Sequence, residues 1–284
     1  MEVFDINGQI ISPLAGKTLY VAGDSIAYGK GSAGGYGKCI ADKYGMTLTN
    51  EAVDGATLTP NITDKVYGGT RGCISTVVTN STALAKADYI LLEGGVNDAW
   101  NNAPVGTLTD GFAAAYDETT MTGALEKMLD DLATNYSDKC VAYVFPHGGM
   151  FAGSENWYKT YKPAILAALK KWGVPYVDIA ETTPPMGKHG VSELGDKYTS
   201  DGTHPNAAGY ERFYAEPIAA LLKRLEGGAR WHCKRILLPG TAAPPSRRTS
   251  VCGSSAARTA ATLSSSTRRW QNCWSVSGST SENR

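Results

Sequence analysis

Up to about residue 225 the chain alternates short apolar runs with longer amphipathic stretches, and this alternation restricts the fold more than any other feature. The runs are 17–22 (KTLYVA), 46–50 (MTLTN), 88–93 (DYILLE), 139–145 (KCVAYVF) and 174–179 (VPYVDI). Each is short, rich in β-branched or aromatic residues and apolar on both faces, as a strand inside a parallel sheet must be. Helical patterns lie between them, near 35–44, 74–86, 111–134, 156–172 and 206–225. In the last, Tyr210, Phe213, Tyr214, Ile218 and Leu221 recur at steps of three and four. Pro163 and Pro217 fall inside helical patterns and mark starts or kinks.

Strand alternating with helix predicts an α/β fold with a parallel sheet covered by helices on both faces. Five strands predict a flavodoxin-like three-layer sandwich of strand order 2-1-3-4-5. A site in such a sheet lies at the carboxyl ends of the strands.

The net charge of zero hides an asymmetry. Residues 227–284 hold nine Lys/Arg and one acidic residue, Glu282, which leaves 18 basic and 26 acidic side chains in 1–226. An acidic body argues against nucleic acid as partner of the main domain. After 226 Tyr, Phe and Asp vanish, and Ser, Arg, Thr and Ala dominate without periodicity. The expected division is a catalytic domain over 1–226 and a basic, Ser/Arg-rich, disordered tail over 227–284. No run of about 18 apolar residues suggests a membrane span. The N-terminus lacks a basic region followed by an apolar stretch, so it does not read as a signal peptide. The expectation is a cytoplasmic protein or a module cut from an exported one, and the sequence leaves both open. The six cysteines form no CxxC pair and have no His at zinc-ligand spacing, so no metal or other cofactor is expected. Cys39 and Cys140 sit in apolar patterns and read as buried hydrophobes.

Four turns fall where the topology places a site: Gly23-Asp24-Ser25, the segment Asn50–Gly55, Gly94–Asp98, and Asp201-Gly202-Thr203-His204-Pro205. Each supplies something ester hydrolysis needs. A serine hydroxyl is a weak nucleophile and needs a base within hydrogen-bond reach. His204 is the candidate base, because imidazoles titrate near about 6.5. A base imidazole works best with its other nitrogen held by a carboxylate, and Asp201 stands three residues earlier. An oxyanion needs fixed donors. The backbone N–H groups of Ser25 and Gly55 and the side-chain amide of Asn97 are the candidates.

These blocks (GDS at 23–25, the glycine at 55, GxND at 95–98 and DxxH at 201–204) resemble, in order and spacing, those of the SGNH/GDSL hydrolase superfamily over about residues 16–225. The resemblance implies a flavodoxin-like fold, Ser25 as nucleophile, Asp201 and His204 as its helpers, and Ser25, Gly55 and Asn97 as oxyanion donors. The expected activity is hydrolysis of short-chain or acetyl esters through an acyl-enzyme. Acyl transfer or thioester hydrolysis on the same residues, and an idle carbohydrate-binding module, are the alternatives.

Blander roles compete for some of these residues. Ser25 is expected in an exposed turn, where a serine also serves as a helix cap. Asp24 and Asp98 read as residues that order their own turns. Asp178 ends a strand and is a rival orienting acid, and His147 follows strand four beside the site. Gly29-x-Gly31-x-x-Gly34 matches a dinucleotide fingerprint but starts seven residues past the strand, where the fingerprint should follow at once. The expected partner is a small ester. Tyr28, Tyr67, Trp100, Phe151 and Trp157 are candidate pocket aromatics, which would suit an acetylated carbohydrate.

Overall fold

Five short parallel strands hydrogen-bond side by side, and their residue types follow their positions. In a computed structural model that describes residues 3–4, 10–112, 115–147, 154–184 and 193–226, a two-residue hairpin, β1 (Val3–Phe4) and β2 (Ile10–Ile11), precedes the main sheet. The sheet consists of β3 (Thr18–Ala22), β4 (Thr47–Asn50), β5 (Tyr89–Glu93), β6 (Cys140–Phe145) and β7 (Tyr176–Asp178). Its order is β4-β3-β5-β6-β7, all parallel, which is the predicted 2-1-3-4-5 arrangement. Every residue of β5 and β6 is buried, and their Tyr, Ile, Leu and Val side chains pack on both faces. Edge strand β4 carries Thr47 and Thr49 and stays partly open. The predicted strand bounds differ from these by one or two residues at most.

Helices form the outer layers. They are α1 (Ser25–Tyr28), α2 (Gly35–Tyr44), α3 (Ile74–Asn80), α4 (Val96–Asn101) and α5 (Met121–Asn135). Then α6 (Ser154–Asn156) runs through a π-turn at Trp157–Tyr161 into α7 (Lys162–Trp172), and Pro163 follows directly on that π-turn. The short α8 (Ile179–Thr182) and α9 (Glu193–Tyr198) lead to α10 (Ala207–Gly209), which continues through a π-turn at Tyr210–Ala215 into α11 (Glu216–Glu226). The predicted run 206–225 is therefore one nearly continuous helix, interrupted by the π-turn just before Pro217. That segment packs on α2, while α3, α5 and α7 pack in a row. The core includes Leu19, Val21, Ile90, Leu92, Val141, Leu125, Leu169 and Ile218, each fully shielded from water. Truncating any of these leucines or isoleucines to alanine would cost about 2–5 kcal/mol.

Three sequence expectations change. The helix predicted over 111–134 begins only at Met121, because Thr120 caps it by accepting the Gly123 N–H and Asp117 ties up the preceding turn. The helix predicted over 74–86 breaks after Asn80 and resumes as a 3₁₀ turn at Ala83–Lys86. Cys39 is only half-buried, whereas Cys140 is buried as expected. The predicted tail, 227–284, and Phe151 lie outside the described residues.

Candidate active site

Strand β3 delivers its chain into a tight turn at its carboxyl end. Asp24 caps α1, its Oδ1 accepting the Ile26 N–H at 2.9 Å, a contact worth about 1 kcal/mol. Ser25 is the first residue of that single helical turn. The turn is braced from several sides. The Val53 N–H donates to the Gly23 carbonyl, Asn50 Nδ2 to the Ala27 carbonyl, and the Tyr210 hydroxyl to the Ile26 carbonyl. This bracing corrects one expectation: Ser25 is only 7% exposed and does not stand in an open turn.

His204 comes from the opposite end of the domain sequence. A compact loop closes at a bridge between Thr199 and Pro205 and is held by Ser200 N–H to the His204 carbonyl and Gly202 N–H to Thr199 Oγ1. Gly31 lies against Ser200 and the Pro205 carbonyl, so part of the glycine-rich stretch 29–34 seats this loop. The loop brings His204 Nε2 to 2.9 Å from Ser25 Oγ. His204 Nδ1 lies 2.7 Å from Asp201 Oδ2. Asp201 Oδ1 accepts the Thr203 and His204 N–H groups at 2.9 and 2.8 Å. Partial burial works to raise the Asp201 carboxyl, but these N–H groups and the His204 ring outweigh it and hold the acid below the usual carboxylate range. Asp178 is occupied elsewhere. It caps α8 through the Ala180 N–H and pairs with Lys162.

The other candidate donors lie on the neighbouring turns. Gly55 has φ +76°, and its α-carbon is so close to the Arg71 guanidinium that a Cβ would overlap it. Arg71 is paired with the buried Asp64. Neither the Ser25 nor the Gly55 N–H finds a backbone acceptor among the described residues. Asn97, in the first turn of α4, donates from Nδ2 to Asp24 Oδ2 and to the Ala56 carbonyl, both at 3.1 Å. Those two bonds engage both amide hydrogens, so a further acceptor at this amide would have to replace one of them. Asp98 orders the adjoining loop, with its carboxylate accepting the Leu58 and Thr59 N–H groups and the Thr59 hydroxyl. Burial pushes the Asp98 carboxyl up to about 6, against the pull of those donors.

One acid at this site was not foreseen, and His147 lies deeper than its place after strand four suggested. Glu93, at the end of β5, is fully buried and accepts the Asp24 N–H at 3.1 Å. The signal in the sequence was a lone acid closing the otherwise apolar run YILL. His147 is buried, and its Nδ1 lies 2.6 Å from the Tyr214 hydroxyl. Burial, and then the neighbouring His204, depress the His147 ring to about 4, which keeps it neutral at physiological pH. Among the candidate pocket aromatics, Trp157 is fully buried against Phe145 and belongs to the core, while Tyr28 and Tyr67 are 54% and 88% exposed. A hollow of about 390 Å³ lined by Tyr28, Ser32, Ala33, Gly34 and Asn50 adjoins α1. A larger one, about 790 Å³, opens among Cys39, Tyr198 and Arg212 and does not include Ser25.

The profile of the GDSL-like lipase/acylhydrolase family matches residues 21–212, more than half of the chain. A comparison with curated proteins returned no significant match. Among solved structures, a protein from Lactobacillus plantarum is 22% identical with a TM-score of 0.54, over 75% of this chain and 98% of that one. A carbohydrate esterase family 2 enzyme with its carbohydrate-binding domain, from Corynascus thermopiles (Myceliophthora fergusii), is 19% identical with a TM-score of 0.52, over 78% and 70%. A possible lipase from Chitinophaga pinensis is 17% identical with a TM-score of 0.52, over 74% and 98%.

Proposed function

Because the chain belongs to the GDSL-like lipase/acylhydrolase family and is thus a carboxylic ester hydrolase, we propose that it cleaves short-chain or acetyl esters through a Ser25 acyl-enzyme, with a carbohydrate as the alcohol part. The observation that carries the mechanism is the unbroken chain from Ser25 Oγ through the His204 ring to Asp201, at 2.9 and 2.7 Å. His204 Nε2 takes the serine proton as Oγ attacks the ester carbonyl. The alkoxide leaves with that proton, and water, deprotonated by the same nitrogen, releases the acid. Asp201 holds Nδ1–H and stabilises the imidazolium that forms between the steps. The N–H groups of Ser25 and Gly55 and the Asn97 amide receive the oxyanion.

Support for a small acyl group comes from the crowding around Ser25, which is nearly buried. Support for a carbohydrate comes from the exposed Tyr28 and Tyr67 rings, faces on which a sugar can stack, and from the carbohydrate esterase among the structural neighbours. The test is a panel of nitrophenyl esters from acetyl to palmitoyl beside acetylated sugars. The acetyl ester is expected to give the highest kcat/KM among the nitrophenyl series. A maximum at long acyl chains overturns the substrate assignment.

A further inference from the structure

A buried acid, Glu93, holds the backbone of a second buried acid, Asp24, at the foot of the nucleophile turn, and no step of the proposed mechanism uses either. Glu93 is fully buried and Asp24 is 1% exposed. The Asp24 N–H donates to Glu93 Oε2 at 3.1 Å, while Asp24 Oδ1 holds the Ile26 N–H and Oδ2 receives the Asn97 amide. The turn sits so tightly on this acid that a Cβ on Gly23 would stand 2.8 Å from Glu93 Oε2 and 2.6 Å from the Ala27 Cβ. Glu93 Oε1 has no hydrogen-bond partner among the described residues. No cation pairs with either acid in the described part of the chain.

We propose that Glu93 is a positioning residue of the hydrolytic site: from beneath the turn it holds Asp24, and through Asp24 it fixes the Ser25 hydroxyl and the Asn97 amide. The proposal rests on Ser25-dependent ester hydrolysis.

Two acids buried so close together disfavour a double charge, because desolvation and mutual repulsion each oppose the second. Burial first, and then the Asp24 charge, push the Glu93 carboxyl well above the usual carboxylate range. Asp24 is raised too, chiefly by burial, but the bonds from Glu93 and the Ile26 N–H pull it back. Glu93 is thus the acid of the two that keeps its proton to higher pH. The other groups that feel Glu93 are buried hydroxyls: Tyr36 of α2, Tyr143 of β6, and Tyr210 and Tyr214 of the final helix. Burial above all, and also the nearby acids, raise these phenols, so none carries a charge at neutral pH. Asp54 and His204 act on Asp24 from the turns above, with opposite sign.

As pH rises, Glu93 loses its proton and a second negative charge appears under the turn. The Asp24 hold then fails, and with it the alignment of Ser25 and Asn97. Folding stability follows the same sign. A carboxyl whose folded value is raised stabilises the native state fully below its ordinary value, near 4.5 here, and that contribution is lost as pH rises through the folded value.

The experiment compares the full chain with its Glu93→Gln and Glu93→Ala variants, reading kcat, KM and Tm from pH 5 to 10 on nitrophenyl acetate, with Ser25→Ala as blank. Gln is neutral at every pH and keeps an acceptor for the Asp24 N–H. Glu93→Gln is expected to stay within about threefold of the parent kcat at neutral pH and to lose the parent's alkaline fall in kcat and Tm. Glu93→Ala is expected to lower kcat at least about tenfold with little change in KM. An alkaline limb that persists in Glu93→Gln, or a parent without one, overturns the proposal, as does a folded Glu93→Ala variant with undiminished kcat. If Glu93→Ala does not fold, Glu93→Gln decides alone. If turnover proves independent of Ser25, the hydrolytic reading fails, and the Tm profiles still show whether Glu93 holds the proton.

Discussion

The outer and inner halves of the site are built in opposite ways. The outer half is Asp201 and His204, three residues apart on one loop, with the Asp201 side chain 49% exposed. Its geometry is local, since the acid orders the same backbone that carries the base. The inner half is Asp24, Glu93, Asn97 and Asp98, in which Asp24 and Asn97 meet across 73 positions of sequence and Asp98 reaches Thr59 across 39. These acids are buried and their carboxyls are pushed upward, whereas Asp201 is held down. The difference separates two tasks. In the proposed mechanism the outer half gains and loses a proton in each turnover and tolerates water, while the inner half holds donors still and depends on water being excluded.

The sharpest break is at the junction of the halves. Ser25→Ala and His204→Ala should each lower kcat by at least about 10³-fold, because either change removes the nucleophile–base pair. The melting temperature of Ser25→Ala should be close to the parent's, as its hydroxyl bonds only to His204 among the described residues. Near-normal turnover by Ser25→Ala would remove the nucleophile assignment.

Within the inner half, Asn97→Ala should lower kcat by roughly 10²- to 10³-fold with KM nearly constant, since its amide serves the transition state more than the bound ester. The same change also strips a donor from buried Asp24. A defect confined to KM would move Asn97 out of the oxyanion site.

The outer acid should matter less. Asp201→Asn is expected to cost between about tenfold and 10²-fold in kcat, short of the ~10⁴ seen for a buried triad acid, because solvent screens a half-exposed carboxylate. Asp178→Asn should leave turnover unchanged, since Asp178 is engaged with Lys162 and the start of α8. The reverse ranking, read from kcat of the two variants, would transfer the orienting role to Asp178.

The smallest effect concerns the basic segment. A chain ending at Glu226 should match the full chain in melting temperature and ester turnover, because the final amphipathic helix and all four turns are complete by that residue. A loss of several degrees, or of most turnover, would show that 227–284 belongs to the catalytic domain.

What could be read directly from the residues was whatever short-range pattern encodes. The runs LYVA, YILL and CVAYVF inside strands 17–22, 88–93 and 139–145 are uninterrupted and apolar, as strands buried on both faces of a parallel sheet must be. Asp201 and His204 stand at a spacing that a single loop closes by its own backbone bonds, so their pairing follows from three residues of separation. The sequence pattern failed at 115–120, where local capping by Thr120 and Asp117 overrode an apolar periodicity. Only the tertiary structure decided how deeply Ser25 is buried, that Trp157 is core rather than pocket, and that Glu93 lies beneath Asp24. The reason is physical: desolvation and the repulsion of two acids depend on what packs around them, and those neighbours arrive from β5, α2 and the final helix, far away along the chain.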